Sequence, residues 1–354
     1  MNLHQIFILV PSAHPTGPIK GAYALANALV DSRRVTLVTL KAGPGVEACL
    51  DERVTTLSLA GTRGGWRGRI RAYRELLRAA GGRHMVASIS LLFSADLVNG
   101  CCSRQAVIVS SVRGNLVQNY RMDYGPPGVI WALLHLASLR RFDHITAMTQ
   151  EMARQVQRYA RKVPVVIGNF VDEQELARYR VAAPPSGPLR FVFVGSLTHR
   201  KQPLLVLKAV AQLRNGGVDL DAEVIGDGPL RPKLIDEIGR LSAGDIVRLH
   251  GHLPRPYDLV ARADALVLPS ISEGVSRAAL EAMHLGVPVV MRAADGSAEV
   301  LNGRNGVAFQ DDRELPVAML AAARLSRSAK VRESLLPEMF RQETAVRQYL
   351  KLVK

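Results

Sequence analysis

Two glutamates, Glu273 and Glu281, stand with seven residues between them in DALVLPSISEGVSRAALEAMHLGVP, residues 264–288. Carboxylates act as acid and base on one bond only when both can reach it. At the helical rise, positions eight apart are separated by about 12 Å along the axis. That spacing argues against a paired acid and base and suits two acceptors gripping different parts of an elongated ligand. Upstream, Arg200 and Lys201 follow a Gly195 turn. Adjacent cations suit a diphosphate, which Arg binds bidentately and Lys as a point charge. Taken singly, these side chains also read as solvated loop and helix charges, so their surroundings must decide.

The elements that would position them are legible. Asp264 to Pro269 is a short apolar run of the kind buried in a parallel sheet. Ser276 is the expected N-cap of a helix whose apolar face includes Ala279, Leu280 and Met283, and Gly286 and Pro288 follow that helix. The loop carrying Glu273 then lies at the carboxyl end of a strand, where open α/β sheets bind ligands. Negative charge on the ligand would rest on the helix N-terminus.

The same alternation runs through the chain. In the first half, Ile6–Val10, Val35–Leu40, Ala106–Ser111, His144–Met148 and Val165–Ile167 read as strands. Helices are expected over Ala22–Val30, 63–83, Val129–Leu139 and Thr149–Arg161. The loop SAHPTGPIKG holds Gly17 and Gly21, which can let backbone approach a phosphate or sugar, although no Gly-Lys-Ser/Thr follows as a P-loop requires. The stretch VAAPPSGP, Val181–Pro188, breaks every period and reads as a linker. Alternation restarts with strands over Phe191–Val194, Ala222–Ile225, Val247–Leu249 and Val289–Arg292 and helices over Leu204–Leu213 and Arg231–Arg240. After Arg292 comes a loop with Gly296, Glu299 and GRNG, then helices to Lys354. Two parallel α/β domains facing across a cleft are expected, with boundaries at 1–182, a linker at 183–188, a second domain at 189–336 and a C-terminal helix at 337–354 packing back on the first.

Length supports this, since 354 residues exceed one ordinary core. No stretch approaches the roughly 20 apolar residues that span a bilayer. The opening MNLHQIFILVPS has too short an apolar run for a signal peptide, so a cytoplasmic location is expected. Cys49, Cys101 and Cys102 have neither metal nor disulfide spacing. The formal charge of +15 implies an anionic partner. It is uneven: residues 1–185 hold 23 Lys plus Arg against 12 Asp plus Glu, whereas the remainder holds 23 against 19. Residues 63–83 alone carry seven arginines and one acid, Glu75, interleaved with Trp66, Ile70, Tyr73, Leu76 and Leu77. Such a helix either lies on an anionic membrane surface or packs its apolar face on its own sheet.

Taken together, VGSLTHRKQP, IGDGPLRPKL, HGHLP, ADALVLPSISEGVSRAALEAMHLGVPVV and GRNG, in that order over residues 190–310, resemble glycosyltransferase family 4, the retaining enzymes of the GT-B fold. GNFVD and the first glycine loop continue the resemblance more weakly upstream. The resemblance implies that Glu273 bonds donor sugar hydroxyls, with the backbone of Gly274, Val275 and Ser276 near the sugar and phosphate. It implies that Glu281 holds the ribose hydroxyls and that Arg200 and Lys201 stabilise the leaving diphosphate without a metal or other cofactor. The donor-side set further takes in Gly195, Gly226, Gly228 and His252, with Gly17 of the first domain facing the donor phosphate or acceptor. His199, His250 and His252 each also read as satisfied loop histidines.

Four positions depart from the pattern. Ser196 stands where many members have Arg, Val275 and Ser276 replace a Phe-Pro pair, and Arg113 in SVRGN occupies the place of a frequent His. The Val-Ser variant resembles enzymes of surface polysaccharide assembly. The expectation is a retaining transferase moving a hexose or N-acetylhexosamine from a nucleotide donor, UDP favoured, to a lipid-linked saccharide, peripheral on the inner face of the cell membrane. A nucleotide-sugar 2-epimerase of the same layout is one alternative. A basic nucleic-acid-binding protein is another, disfavoured by 5% aromatic content and the absence of a recognised motif. The pair Asp219 and Asp221 mimics a metal motif but precedes a strand and is set aside.

Overall fold

The computed structural model describes residues 4–14, 16–43, 50–294 and 297–353. Cys49, Gly296 and Lys354 lie outside the described residues. The chain forms two compact units, residues 1–171 with 338–354, and residues 172–337. The stretch 181–188, expected as the linker, falls inside the second unit, where the Ala182 carbonyl accepts from the Arg332 N–H at 3.0 Å.

In the first unit the elements are β1 (Gln5–Val10), α1 (Gly17–Leu29), β2 (Arg34–Thr39), β3 (Thr55–Ser58), α2 (Gly65–Ala79), β4 (Val86–Leu91) and α3 (Phe93–Asn99). They continue as β5 (Val107–Val112), α4 (Leu116–Tyr124), α5 (Gly128–Ser138), β6 (His144–Ala147), α6 (Gln150–Ala160) and β7 (Val165–Val166). The parallel sheet has the order β3-β2-β1-β4-β5-β6-β7. Strand β1 shows why both faces are covered: Ile6, Ile8 and Val10 enter one core cluster and Phe7 and Leu9 the other, all at most 3% exposed. A strand buried on both faces reads as a continuous apolar run rather than an alternating one.

The second cluster packs beneath α2, α3, α5 and α6 and contains Tyr73, Leu77, Leu136 and Val156. Beside it runs a buried polar network. Asp96 on α3 accepts from Ser90 at 2.6 Å, Ser110 at 3.0 Å and His135 Nε2 at 2.8 Å, and Tyr120 OH lies 3.1 Å from His135 Nδ1. Asp96 and His135 are each 2% exposed, so every one of these bonds replaces lost water. Burial also pushes the Cys102 thiol up to about 12, which keeps it an inert apolar filler at neutral pH.

The second unit runs α7 (Glu173–Ala177), β8 (Leu189–Val194), α8 (Pro203–Asn215), β9 (Leu220–Ile225), α9 (Arg231–Arg240) and β10 (Val247–Gly251). Then come α10 (Tyr257–Ala261), β11 (Ala265–Leu268), α11 (Arg277–His284), β12 (Val289–Arg292), β13 (Gly306–Phe309) and α12 (Leu315–Ser328). The parallel order is β10-β9-β8-β11-β12-β13. Asp264, fully buried, accepts from both Arg327 nitrogens at 2.9 and 3.0 Å and from the Arg190 N–H at 2.8 Å, closing the amino end of β11. Last, α13 (Gln342–Leu352) lies in the first unit, where Ala345, Tyr349 and Val353 join the core cluster of α1.

Several sequence expectations shift. The first helix begins at Gly17 rather than Ala22, with Pro18 in its first turn, so Gly17 and Gly21 are helical rather than loop residues. Proline is preorganised for a first turn, whose N–H groups have no helical partner to lose. Asp221 lies within β9 and Asp219 just before it. His250 is a strand residue of β10, its Nε2 paired with Glu223, and not a loop histidine.

Candidate functional site

In the second unit the chain leaves β8 in one direction along the sheet, through β9 and β10, and returns on the other side with β11. The crevice outside the carboxyl ends of β8 and β11 is therefore the point where strand order reverses, the place where such sheets hold ligands. Parallel pairing of Ala265 with Phe191 and Leu266 with Val192 fixes those two strand ends side by side.

The loop after β8 passes through a single helical turn, His199–Lys201, and ends on Gln202 at φ 53° before α8. The loop after β11 carries Ser270 to Ser276 into α11. The Ile271 N–H donates to the Arg200 carbonyl at 2.9 Å, and Arg200 Nη1 donates to the Ser272 carbonyl at 2.9 Å. This lacing brings the Lys201 ammonium onto the Glu273 carboxylate as a direct ion pair, with side chains 11% and 15% exposed. Lys201, Arg200 and Glu273 thus form one cluster.

The neighbouring loop after β9 is locked to the first. Leu197 N–H donates to Asp227 O at 2.9 Å and Leu230 N–H to Leu197 O at 2.9 Å. A Cβ on Gly226 would lie 1.8 Å from the Gly195 carbonyl oxygen, so this crossing of two backbones admits only glycine. At Gly228 a Cβ would meet Leu197 O at 2.7 Å. Gly195, Gly226 and Gly228 therefore belong together at this edge. His252 is further out: it is exposed and follows Gly251, whose carbonyl accepts from the Gly226 N–H at 2.8 Å.

Val275 and Ser276 are each 5% exposed, and Ser276 has the extended N-cap backbone, though its side chain makes no capping bond. Its carbonyl accepts the first intrahelical bond, from Leu280 N–H at 3.1 Å. Glu281 sits inside α11 with Arg277 Nη2 at 3.6 Å, both about one-sixth exposed or less. Arg277 was not singled out from the sequence, although its i,i+4 spacing to Glu281 is a signal for such a pair. Tyr257 belongs to the same neighbourhood, where burial and then the Glu281 charge push its phenol up.

Gly17, in the first unit, opens α1 with no atom within 4 Å of where a Cβ would stand. Nearby on the same helix, a Cβ on Gly21 would lie 3.4 Å from Arg113 Nη1, and that nitrogen donates to Asn169 Oδ1 at 2.9 Å. The sequence segments SVRGN and GNFVD are thereby joined at the first residues of α1. Among the described residues, no cluster of three or more His, Cys, Asp or Glu is placed to hold a metal ion.

Residues 188–324 match the family profile described as glycosyl transferases group 1. That segment begins at β8 and includes Lys201, Glu273 and Glu281. Over 173 residues the chain is 30% identical to a 2-deoxystreptamine glucosyltransferase of Streptomyces kanamyceticus, covering 45% of each. Over 153 residues it is 29% identical to the putative colanic acid biosynthesis glycosyltransferase WcaL of Salmonella typhimurium, covering 40% of this chain and 38% of that protein. The chain spans less than half the length of these curated relatives. Its likeness to the solved Anabaena Alr3699/HepE, crystallised with UDP, covers 98% of both chains at TM-score 0.77 and 18% identity. The fold is GT-B.

Proposed function

We propose that this chain is a retaining glycosyltransferase of family 4 that moves a hexose or N-acetylhexosamine from a nucleotide donor, UDP favoured, to a lipid-linked saccharide in envelope polysaccharide assembly. The observation that carries the reading is the Lys201–Glu273 pair at the switch point of the second sheet, inside the segment that matches group 1 glycosyl transferases. A donor diphosphate brings negative charge that competes with Glu273 for the Lys201 ammonium. Once Lys201 turns to the diphosphate, Glu273 is released to accept hydrogen bonds from sugar hydroxyls. Arg200, held by Ser272, adds a second preorganised cation where charge grows on the leaving group. With those cations the step needs no metal, and Glu281 with Arg277 lies deeper on α11, where a ribose would be gripped.

The HepE complex with UDP-glucose and the colanic acid relative support the donor and the envelope setting respectively. The membrane-side location is part of the same proposal; among the described residues no helix is long and apolar enough to cross a bilayer. The test is a panel of UDP-, GDP- and ADP-sugars assayed for nucleoside diphosphate release with the wild type and with Lys201→Ala. Release with one donor class that collapses in the variant supports the reading. Conversion of donor to its epimer without release of diphosphate would replace it with the 2-epimerase alternative.

A further inference from the structure

Helix α5 is apolar on both its inward and its outward side. Its inward side is held by His135, bonded to Asp96 and Tyr120 within the first unit, along with Ala132 and Leu136. Its outward side presents Ile130 at 63% exposure, Trp131 at 52% and Leu134 at 55%. On the adjoining α4, Tyr124 is 65% exposed and Met122 42%. The two helices pack closely, since a Cβ on Gly128 would lie 1.9 Å from the Tyr120 carbonyl oxygen, which keeps these exposed apolar residues on adjoining helices. A helix that is apolar all round is normally buried on every side, and α5 leaves Ile130, Trp131 and Leu134 uncovered within the first unit.

The flanks say which environment. Along this side of the sheet α2 packs on α3, α3 on α5, and α5 on α6. Helix α2 exposes Arg67, Arg71 and Arg78, and α6 exposes Arg154 and Arg158. The exposed acids on these helices and on α4 are only Glu75, Asp123 and Glu151. On α2, Tyr73 and Leu77 turn inward and are fully buried, while Trp66 at its first turn is 44% exposed with the Arg69 guanidinium over its ring, so α2 contributes mainly charge with one aromatic at its start. An apolar ridge with an amphipathic Trp and Tyr, bracketed by arginine-rich helices, matches an interfacial aromatic anchor beside phosphate headgroups.

We propose that the outer face of α4 and α5 docks this chain on an anionic lipid bilayer, with Ile130, Trp131 and Leu134 entering the headgroup boundary and the arginines of α2 and α6 on the surrounding phosphates. The inference sharpens the membrane part of the function proposed above, yet lipid binding is read without donor or acceptor, so failure of one leaves the other standing.

The test uses the full chain carrying Trp66→Phe, which leaves Trp131 as the sole tryptophan. It is mixed with phosphatidylcholine vesicles with and without phosphatidylglycerol, and with the same vesicles bearing brominated acyl chains. Docking predicts flotation with the phosphatidylglycerol vesicles, a blue-shifted Trp131 emission and quenching by bromine. Ile130→Ser with Leu134→Ser should lower the bound fraction about tenfold or more, with circular dichroism and melting unchanged. Vesicle binding that leaves Trp131 unshifted and unquenched, or that survives the double serine change, overturns the proposal. So does absence of binding, or sedimentation as a dimer that shields Trp131 without lipid. Should the serine pair unfold the chain, the bromine quenching of the Trp66→Phe protein decides alone.

Discussion

Lys201 and Glu273 are 72 positions apart in the chain, and their side chains form a direct ion pair at the carboxyl edge of the second sheet. Neighbouring strands β8 and β11 put them there, and the Arg200–Ser272 and Ile271–Arg200 bonds hold the loops that carry them. Each residue therefore sets the charge environment of the other before any ligand competes.

The pair predicts non-additive kinetics. Lys201→Ala should lower kcat for the preferred donor by about 10²–10³, the range for losing one preorganised charge stabiliser. Glu273→Gln should cost at least about 10². The double variant should fall well short of the product, because groups acting as one unit are not additive. Steady-state assays of the four proteins of the cycle check this, and strict multiplication of the two losses would show that the residues work independently.

Gly226 admits no side chain, since its Cβ would overlap the Gly195 carbonyl. Gly226→Ala must push the β8 and β9 loops apart, at a cost of about 1–3 kcal/mol or more. A lower urea midpoint accompanied by loss of nucleotide binding is expected. Gly17→Ala is the contrast: nothing stands within 4 Å of the added carbon, so stability should hold or rise slightly.

Asp264 has no exposure, and its two oxygens accept from Arg327 and from the Arg190 backbone. Replacing the carboxylate weakens its charge-assisted bonds to Arg327, whose side chain is one-third exposed and keeps some water, at about 1–3 kcal/mol. Asp264→Asn should therefore lower stability by that order in chemical unfolding. An Asp264→Asn protein as stable as the wild type would refute the assignment.

Asp143 gives a pH signature. Burial opposes its ionisation, but the Arg83 guanidinium at 2.8 Å and the Ile108 N–H at 2.9 Å outweigh burial and hold the carboxyl below its usual range. A carboxyl depressed on folding stabilises fully above its unfolded value, about 3.9, and loses that contribution as pH falls through the lower folded value. The Tm difference between wild type and Asp143→Asn should be constant from neutral pH to about 5 and close as the pH drops through 4 and below. A gap that widens in acid would contradict the sign.

The alternating elements and the strand–loop–helix around Glu273 were legible because their apolar runs are uninterrupted. Strand β4, VASISL, was not recognised: Ser88 and Ser90 interrupt its apolar run, yet both are fully buried, satisfied by Asn99 and Asp96. Strand β3 is exposed at every residue and has no buried face to mark it. The apolar density of Val129–Leu139 reads either as core or as an acceptor or membrane groove, and in α5 Leu136 is buried while Ile130, Trp131 and Leu134 face out, because density does not report the side a residue turns to. The residues of the site were named from motifs, but the Lys201–Glu273 contact depends on strand order in the sheet, which no local pattern encodes.

The most direct test of donor activation follows a UDP-, GDP- and ADP-hexose panel by proton NMR with wild type, Lys201→Ala and Glu273→Gln proteins. The account predicts that one donor class is cleaved to nucleoside diphosphate and a sugar first released with the donor's anomeric configuration, at a rate about 10² or more lower in either variant. Cleavage at equal rates in all three proteins, or an inverted first product, would contradict it.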